Sequence, residues 1–219
     1  MKEKQADRKI VLFTQRVEIV EAYQERRDCA DQRIAEFILS AGFLPVPVPN
    51  SGEIAAAMTA SLRPAGIVLT GGNSLVRYGG NAPERDETDR QLIGEAHHLQ
   101  IPLYGFCRGM QSILDYFGET LTEVSGHVAV RHVIRGEEPE TEVNSYHRQA
   151  CTGLKGGELV AVMTAEDGVI EKVRHRSLPI VGTMWHPERE NPFRETDRSF
   201  LMRLFQEQEA AGGKERKDL

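Results

Sequence analysis

Cys107 stands in the run Pro102-Leu-Tyr-Gly105-Phe-Cys107-Arg108-Gly109-Met-Gln111, where an apolar strand pattern leads into Gly-x-Cys-x-Gly and then into a helical pattern. This is the cysteine form of a nucleophile elbow, a sharp strand-to-helix turn that lifts a nucleophile above the sheet. At the start of a helix the aligned peptide dipoles favour a thiolate. The N–H of Arg108 is expected to face the same space and to serve as an oxyanion donor. A cysteine nucleophile needs a base, and the base needs an orienter. Thr183-Met-Trp-His186-Pro-Glu188 supplies both, with His186 taking the thiol proton and Glu188 holding the imidazole tautomer. A second oxyanion donor is expected in Thr70-Gly71-Gly72-Asn73, a turn with few β-carbons in the way. No Gly-Lys-Ser/Thr follows it, so it is not a nucleotide phosphate loop.

Taken alone, a free cysteine is most often packing and a His-x-Glu a surface ion pair. Their placement carries the reading. All three segments follow strand-like runs, and in a parallel sheet the carboxyl ends of the strands face one crevice.

The elements that must position them are legible. Strands are expected at 9–14, 43–48, 65–69 and 101–106, and helices at 27–41, 51–61, 84–100 and 107–117. Three prolines place the second strand at an edge, and Ser51 is a suitable N-cap. Asp89, Leu92, Ile93, Ala96 and Leu99 give the third helix its stripe. Alternating strands and helices imply a parallel sheet covered on both faces. Beyond Gly118 short β pieces follow at 127–134, 142–144, 159–163, 169–174 and 180–185, then a helix at 194–210. One domain is expected over 1–211, with a glycine-led charged tail at 212–219 that frays.

The remaining candidates are weaker. Arg16 follows the first strand, where its guanidinium could meet a carboxylate or pyrophosphate. His97 and His98 are neighbours on a helix, and His127 and His132 are expected on opposite faces of a strand, so no metal site is expected. Glu166, Asp167 and Glu171 belong to a hairpin about Gly168. Cys29 is expected in a helical core and Cys151 in a structural or loop position. With 3 cysteines and no Cys-x-x-Cys, neither a disulfide framework nor a cysteine-rich zinc site is expected. The chain has 33 acidic against 27 basic residues and a net charge of −6, which argues against nucleic-acid or anionic-membrane partners. No apolar run reaches the roughly 20 residues of a membrane span, and the expected location is cytoplasmic.

Gly105-Phe-Cys107-Arg-Gly-Met-Gln111, Asn144-Ser-Tyr-His147 and Trp185-His186-Pro-Glu188 together resemble the class I glutamine amidotransferase superfamily. The resemblance runs over residues 9–206. It implies a flavodoxin-like three-layer α/β sandwich with a mostly parallel central sheet, and a Cys107–His186–Glu188 triad that attacks a γ-glutamyl amide without an organic cofactor. It assigns the oxyanion hole to Gly72 and Arg108, and substrate binding to Gly71, Asn73, Gln111, Asn144, Ser145, Tyr146 and His147, with Arg16 added from its position. The Pro83-Glu-Arg-Asp86 segment, Cys107-Arg-Gly-Met-Gln111 and Asn144-Ser-Tyr-His147 are similar to the hydrolase branch, which includes γ-glutamyl-γ-aminobutyrate hydrolases. Thr14-Gln-Arg16, 165–171 and 184–190 are similar to γ-glutamyl-CDP-amidate hydrolases of bacterial surface-polysaccharide pathways. The implied partner is a small γ-glutamyl molecule, with homodimerisation left open. Two alternatives stand beside this: a glutaminase subunit feeding ammonia to a separate synthase, and a non-enzymatic redox-sensing relative.

Overall fold

The computed structural model describes residues 8–206. The tail at 212–219, and the ends of the domain expected over 1–211, lie outside the described residues. The chain opens with β1 (Ile10–Phe13) and a hairpin of β2 (Arg16–Val20) and β3 (Glu25–Cys29), followed by α1 (Gln32–Ser40). Then come β4 (Leu44–Pro47), α2 (Gly52–Leu62), β5 (Gly66–Leu69), α3 (Pro83–Leu99), β6 (Leu103–Phe106) and α4 (Arg108–Tyr116). The second half holds β7 (Thr122–Glu123), β8 (Val128–Gly136), β9 (Thr141–Tyr146), β10 (Gln149–Ala150), β11 (Leu159–Ala165), β12 (Ile170–His175), β13 (Ile180–Thr183) and α5 (Glu195–Gln206).

The main sheet runs β4-β1-β5-β6-β13-β12-β11-β8-β9. Its first five strands are mutually parallel, and the rest form an antiparallel wing. Alternation along the parallel strands builds two cores. Leu12, Ile67, Leu69 and Leu103 face Leu92, Ile93 and Met110 of α3 and α4. Val11, Phe13, Val68, Tyr104 and Phe106 face Ile34 and Phe37 of α1 and Leu201 and Phe205 of α5. The result is the three-layer, flavodoxin-like sandwich. β4 is the proline-bearing edge strand, and Ser51 caps α2 by accepting from Ile54 N. Among the described residues, no helix is long and apolar enough to cross a membrane.

Four expectations need correction. The helix expected from 27 starts at Gln32, capped by the Asp31 side chain. Residues 25–29 instead pair with 16–20. Nearly every side chain of this hairpin is exposed, with Val17 alone buried, so it carries no apolar period. Cys29 therefore lies half-buried on β3, not in a helical core. His127 and His132 do not lie on opposite faces. A bulge between Val128 and Val130, with Ala129 at φ 56°, adds a residue and turns them together, ring centroids 4.8 Å apart. On α3, the rings of His97 and His98 also stack rather than diverge.

Candidate active site

Cys107 joins β6 to α4 with φ 51° and ψ −111°. Such a backbone costs about 1–3 kcal/mol in a residue with a β-carbon and persists only where surrounding structure enforces it. The enforcement is visible. Cys107 N donates to Thr183 O at 2.7 Å, tying the elbow to the strand that carries His186. A β-carbon on Gly109 would lie 2.1 Å from Leu69 O, so only glycine lets α4 approach β5 this closely.

His186 follows β13 and is buried, as is Glu188. The imidazole Nδ1 is 2.7 Å from Glu188 Oε1, which orients the ring, and the Cys107 thiol is its other partner. Burial alone would disfavour a charged imidazole. Attraction to Cys107 and hydrogen bonds donated to Cys107 and Glu188 prevail and raise its pKa to about 10. Phe106 and Tyr146 meet the ring edge to face, at 5.7 and 5.6 Å. The turn after His186 is fastened from α1, where Arg33 donates to Glu188 O at 2.8 Å and to Glu190 O at 2.7 Å.

The Thr70–Asn73 turn is organised by Arg85, a fully buried side chain in the first turn of α3. Its guanidinium donates to Thr70 O at 2.7 Å, to Gly71 O at 2.9 Å and to Gly72 O. Burial, with repulsion from Arg108, lowers its pKa to about 9 against the pull of Asp89, Cys107 and Asp86. With the carbonyls held on this side, the N–H groups of Gly72 and Arg108 make no hydrogen bond among the described residues and remain available as donors. The Arg108 side chain is buried, pairing with Asp89 and, at 2.5 Å, with Asp86. Sequence reasoning missed the role of Arg85. Its signal was present, because Arg85 lies four residues before Asp89 and extends the buried stripe of α3 by one turn.

The other expected site residues divide. Gly71 packs on the His186 ring: a β-carbon there would lie 2.7 Å from His186 Cε1. Asn144 bonds the backbone of His186, and Tyr146 meets its ring edge to face. One residue out of phase on β9, Ser145 Oγ donates to His127 O and His147 Nε2 lies 3.3 Å from Glu171 Oε1, on the other face. Gln111 donates to Gln149 O at 2.8 Å. Asn73 mimics a strand partner, accepting from Val17 N at 2.8 Å and donating to Val17 O at 3.0 Å, and so hangs the hairpin on the turn. Arg16 is half-exposed and pairs with Glu18. It opens on a cavity of about 280 Å³ whose lining includes Cys29, Asp31, Gly72, Glu188 and Arg189.

The family model for the class-I glutamine amidotransferase matches residues 18–204. Over 184 residues the chain is 34% identical to a γ-glutamyl-CDP-amidate hydrolase of Campylobacter jejuni, covering 82% of this chain and 90% of that one. It is 28% identical to an anthranilate synthase component 2 of Methanothermobacter marburgensis, covering 78% and 88%. A crystal structure assigned to a GMP synthase subunit of Thermoplasma acidophilum superposes with a TM-score of 0.69 at 19% identity, over 96% of this chain and 98% of that one. That likeness bears on the fold alone.

Proposed function

The chain belongs to the class-I glutamine amidotransferase family, and on that premise we propose that it is a stand-alone hydrolase of a γ-glutamyl amide, acting through a γ-glutamyl thioester on Cys107. Cys107 Sγ attacks the δ-carbonyl carbon. The carbonyl oxygen takes up the charge and is met by the N–H groups of Gly72 and Arg108. His186 gives its proton to the departing nitrogen as the C–N bond breaks. The imidazole then takes a proton from water, whose oxygen attacks the thioester. Glutamate leaves and the thiolate is restored, while Glu188 holds Nδ1–H throughout.

The observation that carries this reading is a buried His186 set between Cys107 and Glu188 where β6 and β13 end. A redox sensor needs no such proton shuttle. The favoured substrate is γ-glutamyl-CDP-amidate, which places the chain in cytoplasmic surface-polysaccharide chemistry. The Campylobacter relative supports it, as do the guanidiniums of Arg16 and Arg189 beside the crevice, suited to a pyrophosphate. A second reading, a glutaminase subunit serving a separate synthase, draws on the anthranilate synthase relative and would use the same catalytic residues.

Glutamate release from glutamine, γ-glutamyl-γ-aminobutyrate and γ-glutamyl-CDP-amidate, each against Cys107→Ala, separates them. Fast release from the amidate with slow release from glutamine is expected. Glutamine turnover that emerges only when a synthase is added would favour the second reading.

A further inference from the structure

Three imidazoles converge on one buried carboxylate oxygen on the face of the wing that Asn144 and Tyr146 leave. Glu171 Oε1 lies 3.4 Å from His127 Nδ1, 3.3 Å from His132 Nε2 and 3.3 Å from His147 Nε2. Glu171, His127 and His147 are buried, and the ligand atoms of these three all lie within 4.8 Å of one another. As a hydrogen-bonded cluster the arrangement is poor. A carboxylate oxygen offers two lone pairs, yet three nitrogens crowd Oε1, while Oε2 is buried with no partner. His127 Nδ1 and His132 Nε2 are likewise buried without a hydrogen bond. The separations from Oε1 to the nitrogens have a simpler origin. Nitrogen and oxygen ligands at about 2.0–2.1 Å from a tetrahedral ion stand about 3.3–3.4 Å from one another.

We propose that His127 Nδ1, His147 Nε2 and Glu171 Oε1, with His132 Nε2 as fourth ligand, form a zinc-type divalent metal site separate from the Cys107 triad. A further feature supports it. His127 turns its other nitrogen, Nε2, to Asp167 Oδ2 at 2.8 Å, which leaves the Nδ1 lone pair for a metal; this is the carboxylate support that ligating histidines usually have. The site joins β8, β9 and β12. It also sits near the catalytic turn through the chain, since Met184 N, two residues before His186, donates to Glu171 O at 2.8 Å. Its role is to clamp the wing; no catalytic step is assigned to it.

The test uses the full chain, stripped with a chelator and titrated with Zn²⁺, in wild type and in Cys107→Ala. One Zn²⁺ per chain at micromolar or tighter affinity is expected in both, with a raised melting temperature. Co²⁺ should give the visible bands of a tetrahedral site without thiolate-to-metal charge transfer. Glu171→Gln and His147→Ala should abolish stoichiometric binding. Asp167→Asn changes a half-exposed side chain, leaves the fold intact and should weaken binding about 10- to 100-fold. No stoichiometric binding to Cys107→Ala, a thiolate band with Co²⁺, or unchanged affinity in Asp167→Asn together with Glu171→Gln would overturn the site.

Discussion

Asn144 clasps the backbone of His186 on both sides: its Nδ2 donates to His186 O and its Oδ1 accepts from His186 N, each at 2.9 Å. The same Nδ2 reaches Glu190 Oε1 at 2.9 Å. Its amide is thus committed to holding His186 in place. Asn144→Ala should lower kcat by about 10²-fold, the scale of a misplaced catalytic group, with little change in KM. A rise in KM at constant kcat would instead mean that Asn144 binds substrate directly.

Gly71 tests the same ring from the opposite loop. With a β-carbon 2.7 Å from His186 Cε1, Gly71→Ala must displace the imidazole or the turn. A fall of about 10²-fold in kcat is expected. Thermal unfolding should change little, because the strain falls on the crevice and not on the core. Full activity in Gly71→Ala would show that the ring has room to move.

Arg85 gathers three carbonyls of the Thr70–Asn73 turn while buried beside Arg108 and its acids. Arg85→Leu would leave those carbonyls unpaired and the buried charges unbalanced. A loss of about 3 kcal/mol in chemical denaturation is expected, with release of glutamate falling through the displaced Gly72 donor. Arg85→Lys should be damaging too, since a single ammonium lacks the planar fork that meets the carbonyls together.

The pH dependence follows from His186, whose pKa is raised to about 10 by Cys107 and Glu188 against burial. A raised folded-state pKa means that the protonated form's stabilisation is complete below the unfolded value of about 6.5 and is lost as pH rises through the folded value. The alkaline limb of kcat/KM should therefore lie near 10 in wild type. Glu188→Gln removes a charge that favours imidazolium and should move that limb to lower pH. An unmoved limb would show that Glu188 does not act on the imidazole.

Much of this was legible in the chain itself. The strong apolar runs at 9–14, 65–69 and 101–106 predict the parallel strands, and the glycines about Cys107 predict the elbow, because close backbone approach admits no substitute. The hairpin at 16–29 was not legible, since one buried valine in ten strand residues makes no period. The histidine cluster was hidden for another reason. A single inserted residue at Ala129 reverses the face on which His127 falls, and strand alternation cannot register an insertion that the sequence does not mark. Asn144-Ser-Tyr-His147 resembles a glutamyl-binding segment, yet it alternates between two sites because β9 has two faces.

The decisive experiment is to stop turnover of a γ-glutamyl substrate with acid and measure the mass of the protein. A covalent mechanism at Cys107 requires a glutamyl adduct on the peptide containing that residue, discharged by hydroxylamine and absent from Cys107→Ala. Glutamate released at an undiminished rate by Cys107→Ala, with no adduct in wild type, would rule that mechanism out.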